Sequence, residues 1–196
     1  MSKLKLLISL ATSALLFISC NDSSNQNDNL EHKNSKESSH VHIPEANIES
    51  AIAILYPTEG NETNGQITFS KMVDGRIKVN AEVYNLSPGK HGFHVHQYGD
   101  CSSSDGKSAG GHFFTDHNHH GALEEMETHV GDLGNLEAND KGIATTTFIT
   151  EKLSFSGINN ILGRGIIVHE GVDDTKTQPT GNAGGRVACG VIGVSK

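Results

Sequence analysis

Histidine is the residue type that first points to chemistry. The chain holds 12, and nine of them fall between His91 and His169. His94-Val95-His96 lies in a run of β-forming residues, and in a strand positions i and i+2 project from the same face. Two imidazoles side by side make half a metal site, with Val95 turned the other way into a core. His169 ends a second such run, Ile166-Ile167-Val168-His169. The long segment between them carries His112, His120 and His129, and Asp132 follows His129 by three positions. Imidazoles grouped with one carboxylate suit zinc in a closed tetrahedral site. Imidazoles with an open coordination position suit a redox copper. The pattern therefore reads as a two-metal constellation.

Such a set needs a rigid frame. Ile77, Val79, Ala81 and Val83 alternate strictly with Lys78, Asn80 and Glu82, which predicts a half-buried strand over 75–84. Similar short β-rich runs cover 51–56, 66–72, 91–98, 132–138, 143–149, 165–170 and 186–193. Asn64-Gly65, Asp74-Gly75, Ser87-Pro88-Gly89 and Lys141-Gly142 punctuate them as turns. No stretch carries a convincing 3.6-residue period. Eight short antiparallel strands predict an all-β sandwich or flattened barrel. Two segments, 99–130 and 171–185, are too long and irregular for hairpins. Loops of that length in a compact domain usually carry function, and both carry or flank the histidines.

With 196 residues the chain is sized for one domain plus appendages. Its 15 basic and 23 acidic side chains give a formal charge of −8, which argues against a nucleic-acid partner needing a basic face. The one long apolar run lies at the extreme N-terminus, so a multi-span membrane protein is excluded. Lys3 and Lys5 precede apolar residues 6–18, which end at Phe17-Ile18-Ser19-Cys20. This resembles a bacterial lipoprotein signal: 1–19 would be removed and Cys20 acylated as the new N-terminus. The anchor would hold the chain to a membrane outside the cytoplasm, in the periplasm or at the outer-membrane face, where disulfides persist. Loss of Lys3 and Lys5 takes the charge from −8 to −10. Residues 20–47 read as a disordered polar linker with too few apolar side chains to fold alone. His32, His40 and His42 in it could gather metal, or simply decorate a solvated tail. The folded domain is expected over 48–196.

Four ordered motifs then identify a resemblance. They are Gly92-Phe93-His94-Val95-His96-Gln97-Tyr98-Gly99-Asp100; His129-Val130-Gly131-Asp132-Leu133-Gly134-Asn135; Val168-His169-Glu170-Gly171-Val172-Asp173-Asp174; and Gly181-Asn182-Ala183-Gly184-Gly185-Arg186-Val187-Ala188-Cys189-Gly190-Val191-Ile192-Gly193. Together they resemble the copper–zinc superoxide dismutase family over the whole folded part. The resemblance implies an eight-stranded antiparallel Greek-key barrel of immunoglobulin-like architecture, and an antioxidant oxidoreductase with one copper and one zinc per subunit.

By position, His94, His96, His112 and His169 would bind copper, and His112, His120, His129 and Asp132 zinc, with His112 bridging the two as an imidazolate. The implied reaction dismutes superoxide to dioxygen and hydrogen peroxide, copper alternating between +2 and +1 while His112 relays a proton. Asp173 would bond one copper ligand and one zinc ligand. His91 would be structural, and His117 and His119 have no implied role. Arg186 would stand at the mouth of the copper channel and dock the superoxide anion. Lys176 is a candidate for steering. Cys101 and Cys189 would form a disulfide, leaving Cys20 for the lipid. His112 follows Cys101 by eleven positions, a longer loop than in eukaryotic relatives, which implies the bacterial branch, with a monomer or a bacterial-type homodimer. The competing reading is a copper chaperone or a metal buffer on the same fold, which would not need Arg186.

Overall fold

The β-forming runs become nine strands in the computed structural model, which describes residues 47–116 and 119–196. They are β1 (Ser50–Pro57), β2 (Asn64–Lys71), β3 (Ile77–Tyr84), β4 (Gly89–His96), β5 (Asp132–Ala138), β6 (Ala144–Thr150), β7 (Gly165–His169), β8 (Arg186–Val191) and β9 (Gly193–Val194). Their order in the sheet is β2-β3-β6-β5-β4-β7-β8-β1-β9, and β1 also pairs with β2. The sheet thus closes into an eight-stranded antiparallel barrel, with the two-residue β9 laid against β1. Because β3 pairs with β6 rather than β4, the chain crosses the barrel end after β3, which is the Greek-key step. Closure removes the unpaired strand edges that would otherwise template aggregation. No helix among the described residues is long and apolar enough to cross a membrane.

Each expected strand falls on an observed one, with end differences that have local causes. The strand expected over 91–98 stops at His96. The N–H groups of Gln97 and Tyr98 turn away to the carbonyls of Gly111 and Ala109, at 2.9 and 3.0 Å, and so start the first long loop. The expected 186–193 strand breaks at Ile192, whose N–H donates to Arg164 instead.

In β3 the alternation holds: Ile77, Val79, Ala81 and Val83 are buried while Lys78, Glu82 and Tyr84 are exposed. The barrel interior fills with such residues, among them Phe69, Phe93, Leu55, Ile67 and Leu136. Each large side chain of this kind contributes about 1.5–3 kcal/mol on burial. Strands β4 and β7 depart from alternation. From His91 to His96 and from Gly165 to His169 every residue is buried. Val95, Ile166 and Val168 face the core; the other face lies under the long loops, and there His94 and His96 sit.

Backbone bonds place that loop. Val95 N–H donates to the Gly131 carbonyl at 3.0 Å, Phe113 N–H to the Val95 carbonyl at 2.8 Å, and Gly131 N–H to the Phe113 carbonyl at 2.8 Å. Position 131 must be glycine, since a Cβ there would collide with the Val95 carbonyl. This three-way knot ties together the neighbours of His94, His96, His112 and Asp132.

Cys101 and Cys189 form a disulfide with Cα atoms 5.8 Å apart, joining the first long loop to β8 across 88 residues. The chain-entropy argument gives such a cross-link about 4 kcal/mol. The double variant Cys101→Ser/Cys189→Ser is expected to lose a stability of that size, read as a lower denaturant midpoint, with a slope equal or steeper because the uncrosslinked unfolded chain exposes more surface. A midpoint equal to that of the parent would remove the disulfide from the stabilising forces.

Candidate metal centre

The two strands and two loops converge on a buried cluster of seven side chains: His94, His96, His112, His120, His129, Asp132 and His169. It resolves into two four-residue sets. His94, His96, His112 and His169 each offer one ligand atom within 4.8 Å of the other three. So do His112, His120, His129 and Asp132. His112 belongs to both.

In the first set every ring has one nitrogen in use. His94 Nε2 donates to Asp173 Oδ2 at 2.8 Å, and His96 Nδ1 to the Gly110 carbonyl at 3.0 Å. His169 Nδ1 reaches the Gly184 carbonyl at 3.4 Å, and His112 Nδ1 donates to Asp132 Oδ1 at 2.8 Å. The other nitrogens, His94 Nδ1 and Nε2 of His96, His112 and His169, are buried with no hydrogen-bond partner. A buried polar atom without a partner is costly. Four of them, one from each ring, have a common explanation in a cation that they would share. The donor set, four imidazoles, fits copper.

The second set centres on Asp132. Its Oδ1 accepts from His112 Nδ1 at 2.8 Å, His120 Nδ1 at 2.9 Å and His129 Nδ1 at 3.2 Å. Gly121 N–H holds the other oxygen, Oδ2, at 2.9 Å. Three imidazole nitrogens and one carboxylate oxygen form the three-nitrogen, one-oxygen set that zinc takes in a closed tetrahedral site.

Asp173 links the sets. Its Oδ2 takes the His94 bond and its Oδ1 accepts from His120 Nε2 at 2.7 Å. Asn135 holds Asp173 by both main-chain groups, its Nδ2 donating to the Asp173 carbonyl and its Oδ1 accepting from the Asp173 N–H, each at 2.9 Å. Lys152, almost fully buried, supports the segment between His120 and His129. Its Nζ donates to Thr128 Oγ1 at 2.7 Å and to the Glu125 carbonyl at 3.2 Å. Neither Asn135 nor Lys152 stands out in the sequence. Asn135 lies within the motif that contains Asp132, whereas nothing around Lys152 signals its role.

The protonation states suit ligation. Burial, helped by neighbouring histidines, pushes His94 and His96 well below the ordinary imidazole value. Burial lowers His112 and takes His169 to about 4. Burial would raise Asp132 and Asp173, but their histidine hydrogen bonds outweigh it and hold both carboxyls well below the usual range. His120 is the exception. Burial opposes its charge, yet its bonds to Asp132 and Asp173 raise it to about 9. In the metal-free protein at pH 7 it therefore carries protons on both nitrogens, and zinc ligation through Nδ1 would have to release one. Apparent zinc affinity is expected to rise up to about tenfold per pH unit from pH 7 and to level off above pH 9. Calorimetry in buffers of different ionisation enthalpy reads the released proton; a buffer-independent heat at pH 7 contradicts this.

Arg186, at the start of β8, donates from Nη1 to the Gly106 carbonyl at 2.7 Å and from Nη2 to the Gly110 carbonyl at 2.6 Å. The Gly110 carbonyl also accepts from His96 Nδ1, and Arg186 pairs with His169 across the β7–β8 ladder, which places the arginine beside the first set. His91 is a buried structural group: Nδ1 donates to the His169 carbonyl at 2.9 Å, and Ser87 meets Nε2. His119 is exposed and contributes its carbonyl to the His129 N–H. Lys176 is exposed on the second loop. His117 and everything assigned to residues 1–46, including Cys20 and the His32, His40 and His42 arm, lie outside the described residues.

The family model for copper/zinc superoxide dismutase matches residues 63–192. The chain belongs to the copper–zinc superoxide dismutase family. It is an enzyme of that activity, with superoxide as substrate and copper and zinc as cofactors. It is 40% identical over 156 residues to the extracellular superoxide dismutase [Cu-Zn] of Drosophila melanogaster, an alignment covering 75% of this chain and 86% of that one. Its fold matches the crystal structure of the clock protein EA4 with a TM-score of 0.72 and 40% identity, over 79% of this chain and 99% of that one. The enzyme's fold and disulfide thus agree with what the motifs imply. Membership of a bacterial branch is not carried by these relatives, one of which is an animal protein.

Proposed function

We propose that this superoxide dismutase works through His94, His96, His112 and His169 as copper ligands and His112, His120, His129 and Asp132 as zinc ligands, with His112 shared. The observation that carries this is the set of four partnerless buried nitrogens, each ring's other nitrogen being tied down. When bound, copper supplies reversible one-electron transfer and zinc a fixed positive charge that favours deprotonation of His112. The residues do the rest. In the metal-free protein Asp132 holds the His112 ring by Nδ1, which turns that nitrogen to the zinc set and Nε2 to the copper set, so Nε2 is the atom that would take up a proton and pass it to the substrate. Arg186, pinned by the Gly106 and Gly110 carbonyls, presents a fixed positive charge beside His96 and His169 for a small anion. A local charge of this kind counters the net charge, −8 for the full chain and −10 once residues 1–19 are removed, since clefts focus field lines.

The lipoprotein-like N-terminus supports a location outside the cytoplasm, anchored to a bacterial membrane through Cys20; the disulfide and the similarity to an extracellular enzyme support the same compartment. Fatty-acid label taken up by the parent chain and absent from the Cys20→Ala variant is the result expected of the anchor, and equal labelling of both would remove it. The activity is tested by comparing the copper- and zinc-loaded protein with the zinc-only form. Copper-dependent turnover that falls in Arg186→Ala at unchanged copper content is the expected result. No turnover with both metals bound would instead favour a metal buffer.

A further inference from the structure

The second loop, 171–185, makes a contact with the zinc set that the family motifs do not contain. Gln178 Oε1 accepts from the His120 N–H at 2.8 Å, and Gln178 Nε2 donates to the His120 carbonyl at 2.9 Å. One side-chain amide thereby forms both bonds that an antiparallel strand would offer a facing residue. The same amide also reaches the Lys176 carbonyl at 3.3 Å.

The loop that presents Gln178 is held by its own bonds. The Asp174 carboxylate accepts from Lys176 N–H at 3.0 Å, from Thr177 N–H at 2.8 Å and from Thr177 Oγ1 at 2.6 Å. Gly181 N–H donates to the Thr177 carbonyl at 2.7 Å, and Asp174 N–H to the Gly181 carbonyl at 2.9 Å. Gly181 also clears the space in which Asp173 and His120 meet, because a Cβ there would collide with Asp173 Oδ1. His120 is consequently gripped at three points from one loop: main-chain N–H, main-chain carbonyl and ring Nε2. With those fixed, its Nδ1 faces Asp132.

We propose that Gln178 is a positioning residue for zinc, locking the main chain of His120 so that zinc retention depends on the second loop. This rests on His120 being a zinc ligand. Groups that orient metal ligands without touching the metal are commonly worth 10–100-fold in affinity.

The test uses the copper- and zinc-loaded full chain, with zinc release followed by chelator competition and copper content and spectrum followed in parallel. Gln178→Ala is expected to speed zinc release on the order of tenfold or more while copper content and spectrum stay unchanged. Cobalt placed in the zinc site of the same variant is expected to show an altered visible spectrum, which general destabilisation of the fold does not produce. Val172→Thr, in the same loop with an exposed side chain outside these bonds, is expected to keep the parent rate and spectrum. A Gln178→Ala release rate within about twofold of the parent overturns the proposal. So does equal acceleration in Val172→Thr, or parallel loss of copper. Asp132→Ala separates the two levels: if it retains zinc at parent affinity, the zinc-ligand reading fails. If it loses zinc while Gln178→Ala does not, only the positioning role fails.

Discussion

Replacing His112 with alanine is expected to lower superoxide turnover at pH 7 by at least about a hundredfold, the usual scale for removing a positioned proton donor. His112 is the one side chain in both four-residue sets. Its Nδ1 is held by Asp132 and its Nε2 is buried without a partner. Alanine deletes both nitrogens. Three histidines remain on the copper side, His94, His96 and His169, so copper is expected to stay bound. On the zinc side His120, His129 and Asp132 remain, and zinc affinity is expected to fall because a closed tetrahedral site has lost a corner. Turnover is therefore measured by pulse radiolysis at matched copper content, with both metals quantified. Retention of copper with loss of rate assigns His112 to proton delivery. A rate within a few-fold of the parent, copper retained, sinks the relay role and leaves His112 as a ligand alone.

The same residues show how much of this was legible in the chain. The β3 alternation from Ile77 to Val83 is a local, period-two signal, and the strand follows it. His94 and His96 lie on one face for the same reason. That this face is buried is not a local property, because residues far along the chain cover it. In β4 and β7 a period-two reading consequently misses that both faces are closed. Asn135 grips Asp173 from 38 positions away, and Gln178 grips His120 from 58. Amide-to-main-chain bonds over such separations leave no periodic trace, and a glutamine in a polar loop reads as solvated. Lys152 is hidden more deeply: lysine is rarely buried, and its ammonium here is satisfied by a hydroxyl and a carbonyl rather than a carboxylate. The candidate metal ligands were readable because their residue types are scarce and their order matches a family. The side chains that aim them use common residue types and depend on the folded loops.

Asp173→Asn is the sharper of the remaining substitutions, because the amide keeps the shape and removes only the second acceptor. His94 presents Nδ1 to the copper side, so its Nε2 must carry the proton that Asp173 Oδ2 accepts at 2.8 Å. His120 presents Nδ1 to the zinc side, so its Nε2 must carry the proton that Oδ1 accepts at 2.7 Å. Both bonds therefore need an acceptor. Asparagine has one acceptor and one donor, and flipping it moves the donor from one histidine to the other without satisfying both. A buried N–H facing an NH2 group costs about 1–3 kcal/mol. That cost falls on whichever metal set receives the amide nitrogen. Zinc or copper affinity is expected to drop about 10–100-fold, with the other metal held more nearly as in the parent. Competition with chelators for each metal in turn, together with the copper spectrum, reads which side is spoiled. If both affinities are unchanged, Asp173 is not orienting the ligands, and the link between the two sets must be carried by His112 alone.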